Sequence, residues 1–211
     1  MSILTDLLIL SLFQTTNFDP PRLERGAPLA HSQNIIRSSW VIMDLEIDPE
    51  GKVAVRSSEG VNPFRDVALT SVRQWTFAPA RTKEPVESRV TAVFLFRPRD
   101  LFAGAAPQIP KSSGSDPDRP PLPLKLSDPG YPRASIGEGA VMLELRLAQT
   151  GSLENLRVVA GVGGLNEPTE KVARTWGFEP ALRKGVAVPG TVIAVVFYLR
   201  PVLYVPPANG N

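Results

Sequence analysis

Between Val41 and Asp48 the chain alternates: Val41, Met43, Leu45 and Ile47 are apolar, while Asp44, Glu46 and Asp48 stand between them and only Ile42 breaks the pattern. A period of two predicts a strand with one buried and one wetted face. The pattern returns at Val141, Leu143, Leu145 and Leu147. Each run ends in a short loop closed by a glycine, Gly51 or Gly151, at a place where a hairpin needs positive φ. Val53 and Val55, then Leu156, Val158 and Val159, form the returning strands. A helix follows in each case. In the first, Phe64, Ala68, Val72 and Trp75 recur at spacings of four, four and three, and Asp66 sits in the first turn, where the helix dipole favours an anion. The second starts around Pro168, a position that loses no intrahelical bond to proline. The last strands, Val90 to Phe96 and Val192 to Leu199, are apolar on both faces and so should be covered on both. A helix covers one face. The sister repeat, another subunit or a bound segment must cover the other.

These elements recur with a period of about one hundred residues, which predicts a duplicated unit. Val41 to Gly51 aligns on Val141 to Gly151 without a gap, and Arg73 to Ala80 aligns on Arg174 to Ala181 after a one-residue insertion. The second pair carries a Trp-x-Phe-x-Pro-Ala signature, Trp75 to Ala80 and Trp176 to Ala181. Both copies close on an apolar run ending in Arg-Pro, at Arg97 and Arg200. Between them, residues 101–128 are rich in proline and serine and are expected to be a linker with no core of their own.

Composition narrows the function. The 211 residues include 22 prolines, well above the usual ~5%, and the formal net charge is only +2, with Lys and Arg scattered. Nucleic acid is not an expected partner. There is no cysteine and a single histidine, His31, so thiolate chemistry, a disulfide framework and a multi-histidine metal cage are excluded. His31 reads as a loop residue. Asp44, Glu46 and Asp48 could serve as acid, base or cation ligands, but the second copy has Glu144, Arg146 and Ala148 there, and a solvated face explains them better. Gly161 to Gly164 resembles a piece of a phosphate loop without its Lys-Ser/Thr ending, and a turn before the helix accounts for it. Trp75, Phe77, Trp176 and Phe178 read as core. No catalytic residue, metal site or cofactor is expected.

Tyr131-Pro132, the strand from Gly139, Gly151, Trp176 to Ala181, Gly185 and the terminal strand together resemble the C-terminal domain of TonB-family energy transducers, over Tyr131 to about Leu199. The first copy, from about Trp40 to Pro98, is similar to the same domain in diverged form. It lacks a Tyr-Pro before its first strand and has Glu84-Pro85 where the second has Gly185. The resemblance implies an α+β fold of two tandem small domains, each a three-stranded antiparallel sheet with one or two helices packed on one face. Its boundaries are 21–100 for the first domain, 101–128 for the linker and 129–205 for the second. The resemblance further implies a periplasmic or cell-envelope protein of a Gram-negative-type bacterium, with no enzymatic activity. Its partner would be an extended peptide of an outer-membrane receptor or other envelope protein, bound by strand addition, in TonB-dependent transport. The binding residues carried over are Tyr131, Pro132 and, on the last strand, Val192, Ala194, Val196 and Tyr198. The alternative is a scaffold in which the two repeats pair their last strands as a pseudo-dimer, or self-associate through edges. Residues 1–20, with an apolar run from Leu7 to Phe13, are too short to span a membrane and are expected to be the remnant of a signal or anchor.

Overall fold

The computed structural model describes residues 17–28, 35–109 and 116–201. His31 and the apolar run Leu7 to Phe13 lie outside these residues. The first half runs β1 (Arg22–Arg25), β2 (Ser39–Ile47), β3 (Val53–Glu59), α1 (Phe64–Val72), β4 (Thr76–Ala78), β5 (Ala80–Arg81), β6 (Pro85–Val86) and β7 (Ser88–Phe96). The second half repeats the order as β8 (Leu122–Lys125), β9 (Gly139–Leu147), β10 (Leu153–Ala160), α2 (Asn166–Ala173), β11 (Gly177–Glu179), β12 (Ala181–Arg183), β13 (Val186–Val188) and β14 (Gly190–Tyr198). The fold is α+β, mostly sheet with two helices among the described residues.

The predicted hairpins form, and for the expected reason. Gly51 and Gly151 have φ of +82° and +83°, and a Cβ on either would collide with a backbone oxygen, that of Phe77 or Phe178. The glycine turn also anchors the strand after the tryptophan, since Phe77 N–H donates to Gly51 O at 2.9 Å. Trp75 and Trp176 are 2% and 7% exposed, which places both in the core. Trp75 stacks on Phe94 with centroids 5.7 Å apart. The glycine-rich stretch before α2 is a turn, held by Val162 N–H donating to Asn166 Oδ1 at 2.8 Å.

The two halves share one six-stranded sheet in the order β10-β9-β14-β7-β2-β3. Its centre is a seam between β14 and β7, which run parallel, whereas β14–β9 and β7–β2 are antiparallel. A parallel seam between like halves implies a pseudo-twofold axis lying in the sheet along the strands, so matched residues point to opposite faces. The register bears this out. Val90 sits opposite Leu45, and Val192 sits opposite the matching Leu145, yet across the seam Val90 faces Thr191 rather than Val192. Cross-strand neighbours point to the same face, so the seam has to slip by one residue.

This geometry explains why the last strands are apolar on both sides. One core, under α1, combines Val90, Ala92, Phe94 and Phe96 of β7 with Ile193, Val195 and Phe197 of β14. The other, under α2, combines Val192, Ala194, Val196 and Tyr198 with Ile42, Val93 and Leu95. Each last strand thus serves its own core with one face and the sister core with the other. Of the three candidates for the second cover, the sister repeat takes the place.

The stretch expected to be a linker is structured in its last part. β8 pairs with β11 as β1 pairs with β4, and Leu126 is buried. A Pro-Pro pair precedes each of these strands, Pro20-Pro21 and Pro120-Pro121, and each crosses to the other half. Buried Thr191 Oγ1 donates to Pro21 O at 2.6 Å, and buried Thr91 Oγ1 donates to Pro121 O. The leading strand of the first half also reaches across, with Leu23 N–H donating to Glu144 Oε2 at 2.7 Å.

Candidate partner site and the seam

Every residue of β14 is buried. Both backbone edges of the strand are engaged, one by β9 from Gly190 to Tyr198 and the other by β7 from Thr191 to Phe197. Val192, Ala194 and Val196 are fully buried under α2, and Tyr198 is 1% exposed. The Tyr198 hydroxyl shares a 2.6 Å hydrogen bond with Thr169 Oγ1 on α2. Burial pushes its pKa up to about 12, since the phenolate would lose its water.

Tyr131 is also inside. It is 5% exposed, packs edge-on against Tyr198 at 6.2 Å and donates its hydroxyl to Gly137 O at 2.8 Å. Pro132 is partly exposed beside it. The structure therefore brings Tyr131 against Tyr198 at one end of β14, while Val192, Ala194 and Val196 run back along the strand inside the second core and Pro132 stands at its margin. Among the described residues, the two outer edges of the six-stranded sheet are elsewhere, on β10 and β3. They belong to strands with the weakest apolar pattern, which is why a search for apolar runs passes over them.

The ends of the halves are tied by a feature with no sequence signature. The side chains of Arg97 and Asp128 are both fully buried and form an ion pair at 2.5 Å. Asp128 also accepts from Ser38 Oγ at 3.0 Å, Gly104 N–H at 2.8 Å and Gly130 N–H at 2.8 Å. Arg97 donates to Phe102 O at 2.8 Å and lies 5.4 Å from the centre of the Tyr198 ring. One carboxylate thus fixes the chain before β2, the chain after β7 and the turn leading to Tyr131. Tryptophans cross the same boundary: Trp40 meets Trp176 edge-on at 6.2 Å, and its Nε1–H donates to Ala105 O at 3.2 Å.

The acidic face of β2 is consumed by ion pairs. Asp44 takes a bidentate contact from Arg89, whose Nε donates at 2.7 Å, and Glu46 pairs with Arg56 at 2.5 Å. Burial alone would lower the Arg89 pKa, but Asp44 and Asp116 outweigh it and hold the guanidinium charged. Asp48 caps its own turn by accepting from Glu50 N–H and Lys52 N–H at 3.0 and 2.8 Å. Among the described residues there is no group of His, Cys, Asp and Glu suited to a metal ion, and no helix long and apolar enough to cross a membrane.

Residues 128–199 match the family described as Gram-negative bacterial TonB protein C-terminal. The second half of the chain therefore carries a TonB C-terminal-like domain, and the first half lies outside the match. No curated protein and no solved structure matches the chain.

Proposed function

We propose that this is a non-enzymatic cell-envelope protein of the TonB family in which two like halves form an intramolecular pseudo-dimer, a preassembled scaffold with its last strands closed against each other. The observation that carries this reading is the seam. In a single unit the last strand would be a free edge, open to a partner's backbone. Here β7 occupies that edge over seven residue pairs, Thr191–Val90 to Phe197–Phe96. A peptide adding to β14 would first have to expel β7 and uncover both cores.

A second reading keeps the family's mode of binding but moves its place. Among the described residues β10 pairs with β9 alone, and it belongs to the half that matches the family, so we take its outer edge as the place for an extended peptide of an outer-membrane or other envelope protein. This fits a role in TonB-dependent transport, with Tyr131, Pro132 and β14 supporting the platform from inside.

Peptides selected from a displayed library against the full chain test the two readings together, with backbone hydrogen exchange used to map each footprint. Added protection confined to Leu153–Ala160 supports strand addition at β10, and selection of no peptide supports the scaffold. Added protection along β14, with loss of protection along β7, overturns both.

A further inference from the structure

The two hairpins that follow the Trp-x-Phe-x-Pro-Ala signatures, β5–β6 and β12–β13, meet at one place. Phe18, Ala80, Ala181 and Val188 form a small separate core there, with Val86 against it. The hairpin tips project beyond it and carry Arg81, Lys83, Arg183 and Lys184, against one carboxylate of their own, Glu84. Carboxylates also stand nearby, with Glu87, Asp116 and Asp118 lining an adjoining cavity that shares Phe18, Arg183 and Val188. Asp19 pairs with Arg146, and Asp118 accepts the backbone N–H of Lys184 at 2.9 Å.

Between the tips lies an open recess of about 390 Å³, lined by Lys83, Arg183 and Lys184 together with Phe18, Val186 and Val188. No carboxylate is in this described lining. Val186 is 54% exposed, and the Arg183 guanidinium lies 5.6 Å from the centre of the Phe18 ring. Phe18 and Val188 are buried, so the exposed Val186 among the cations is what suits a surface that is itself apolar beneath a layer of negative charge. Asn17, where the apolar N-terminal stretch joins the described chain, also lines the recess. Only Gln14, Thr15 and Thr16 separate it from Phe13, the end of the apolar run.

We infer that the paired hairpin tips form a docking face for an anionic phospholipid surface, with Lys83, Arg183 and Lys184 at the headgroups and Val186 at the apolar boundary. The face lies beside Asn17, the first described residue. Each cation close to such a surface adds to binding independently of the others, and salt weakens all of them.

Co-sedimentation of the full chain with vesicles tests this, comparing phosphatidylcholine containing a third phosphatidylglycerol with phosphatidylcholine alone. The full chain should bind the anionic vesicles, release as NaCl rises from about 0.05 to about 0.3 M, and bind neutral vesicles at least about tenfold more weakly. The double variant Lys83→Glu with Lys184→Glu should lose at least about tenfold on anionic vesicles while keeping the parent's thermal unfolding, because both side chains are exposed. Lys83→Ala with Lys184→Ala, which adds no new charge, should fall between the two. Equal binding of all three proteins, equal binding to both vesicle types, or no binding to either would overturn the inference.

Discussion

Arg97 and Asp128 show how one residue pair can fix a relation between distant segments. Two buried charges gain little over a well-packed apolar pair, but removing one leaves the other stranded. Asp128→Asn should therefore cost about 3–5 kcal/mol, read from urea unfolding, whereas Arg97→Met with Asp128→Leu should recover only the part due to the stranded charge, since leucine cannot accept from Ser38 Oγ, Gly104 N–H and Gly130 N–H. An unchanged midpoint for Asp128→Asn would mean the carboxylate is not holding the three segments it touches. The second half supports the apolar alternative. By strand pairing, Phe96 opposite Ser39 matches Tyr198 opposite Gly139, so Arg97 corresponds to Leu199, which is 4% exposed. The sequence obscures this, because aligning the two Arg-Pro pairs sets Arg97 against Arg200, one residue off. The tryptophans and alternating strands were legible because their spacing follows from burial on one element. Arg97 and Asp128 meet only through the tertiary fold, and each alone reads as a surface charge.

The elements were legible in proportion to how locally they are determined. The hairpins at Gly51 and Gly151, the two helices and the doubly apolar last strands all follow from periodicity and turn chemistry. β1 and β8 did not, since they are short, proline-led and stable only by pairing with β4 and β11. Their Pro20-Pro21 and Pro120-Pro121 pairs were the available signal, hidden within a tract that composition marks as linker. The position of β14 bears on any test of peptide binding. On a free edge, Ala194→Pro could block an added strand and leave the domain folded. Here Ala194 is fully buried and flanked by Leu143 and Val93, so a proline breaks pairing inside the sheet and clashes within a packed layer. Ala194→Pro should cost at least about 3 kcal/mol and abolish cooperative unfolding, monitored by circular dichroism. A variant that folds and unfolds like the parent would place β14 at an edge.

At the scale of the whole molecule, the like order of elements in the two halves turns a weakness into a joint. A small unit with a doubly apolar edge strand invites association with other chains. Two such units in one polypeptide satisfy each other, and the pseudo-twofold lets each strand complete the sister's core. The Pro-Pro segments cross the seam in both directions, so the halves are tied by backbone pairing, by core packing and by Thr91 and Thr191. That the two copies would combine was one of several open possibilities in the sequence, because a strand apolar on both faces does not specify what covers it. Amide hydrogen exchange along β14 in the free full-length protein tests the joint most directly. If the seam is a permanent part of the fold, the amides from Val192 to Tyr198 exchange only through global unfolding, and their protection tracks the stability from denaturant titration. If those amides exchange as fast as the outer strands β3 and β10, the seam opens locally, β14 is available to a partner, and the closed pseudo-dimer is contradicted.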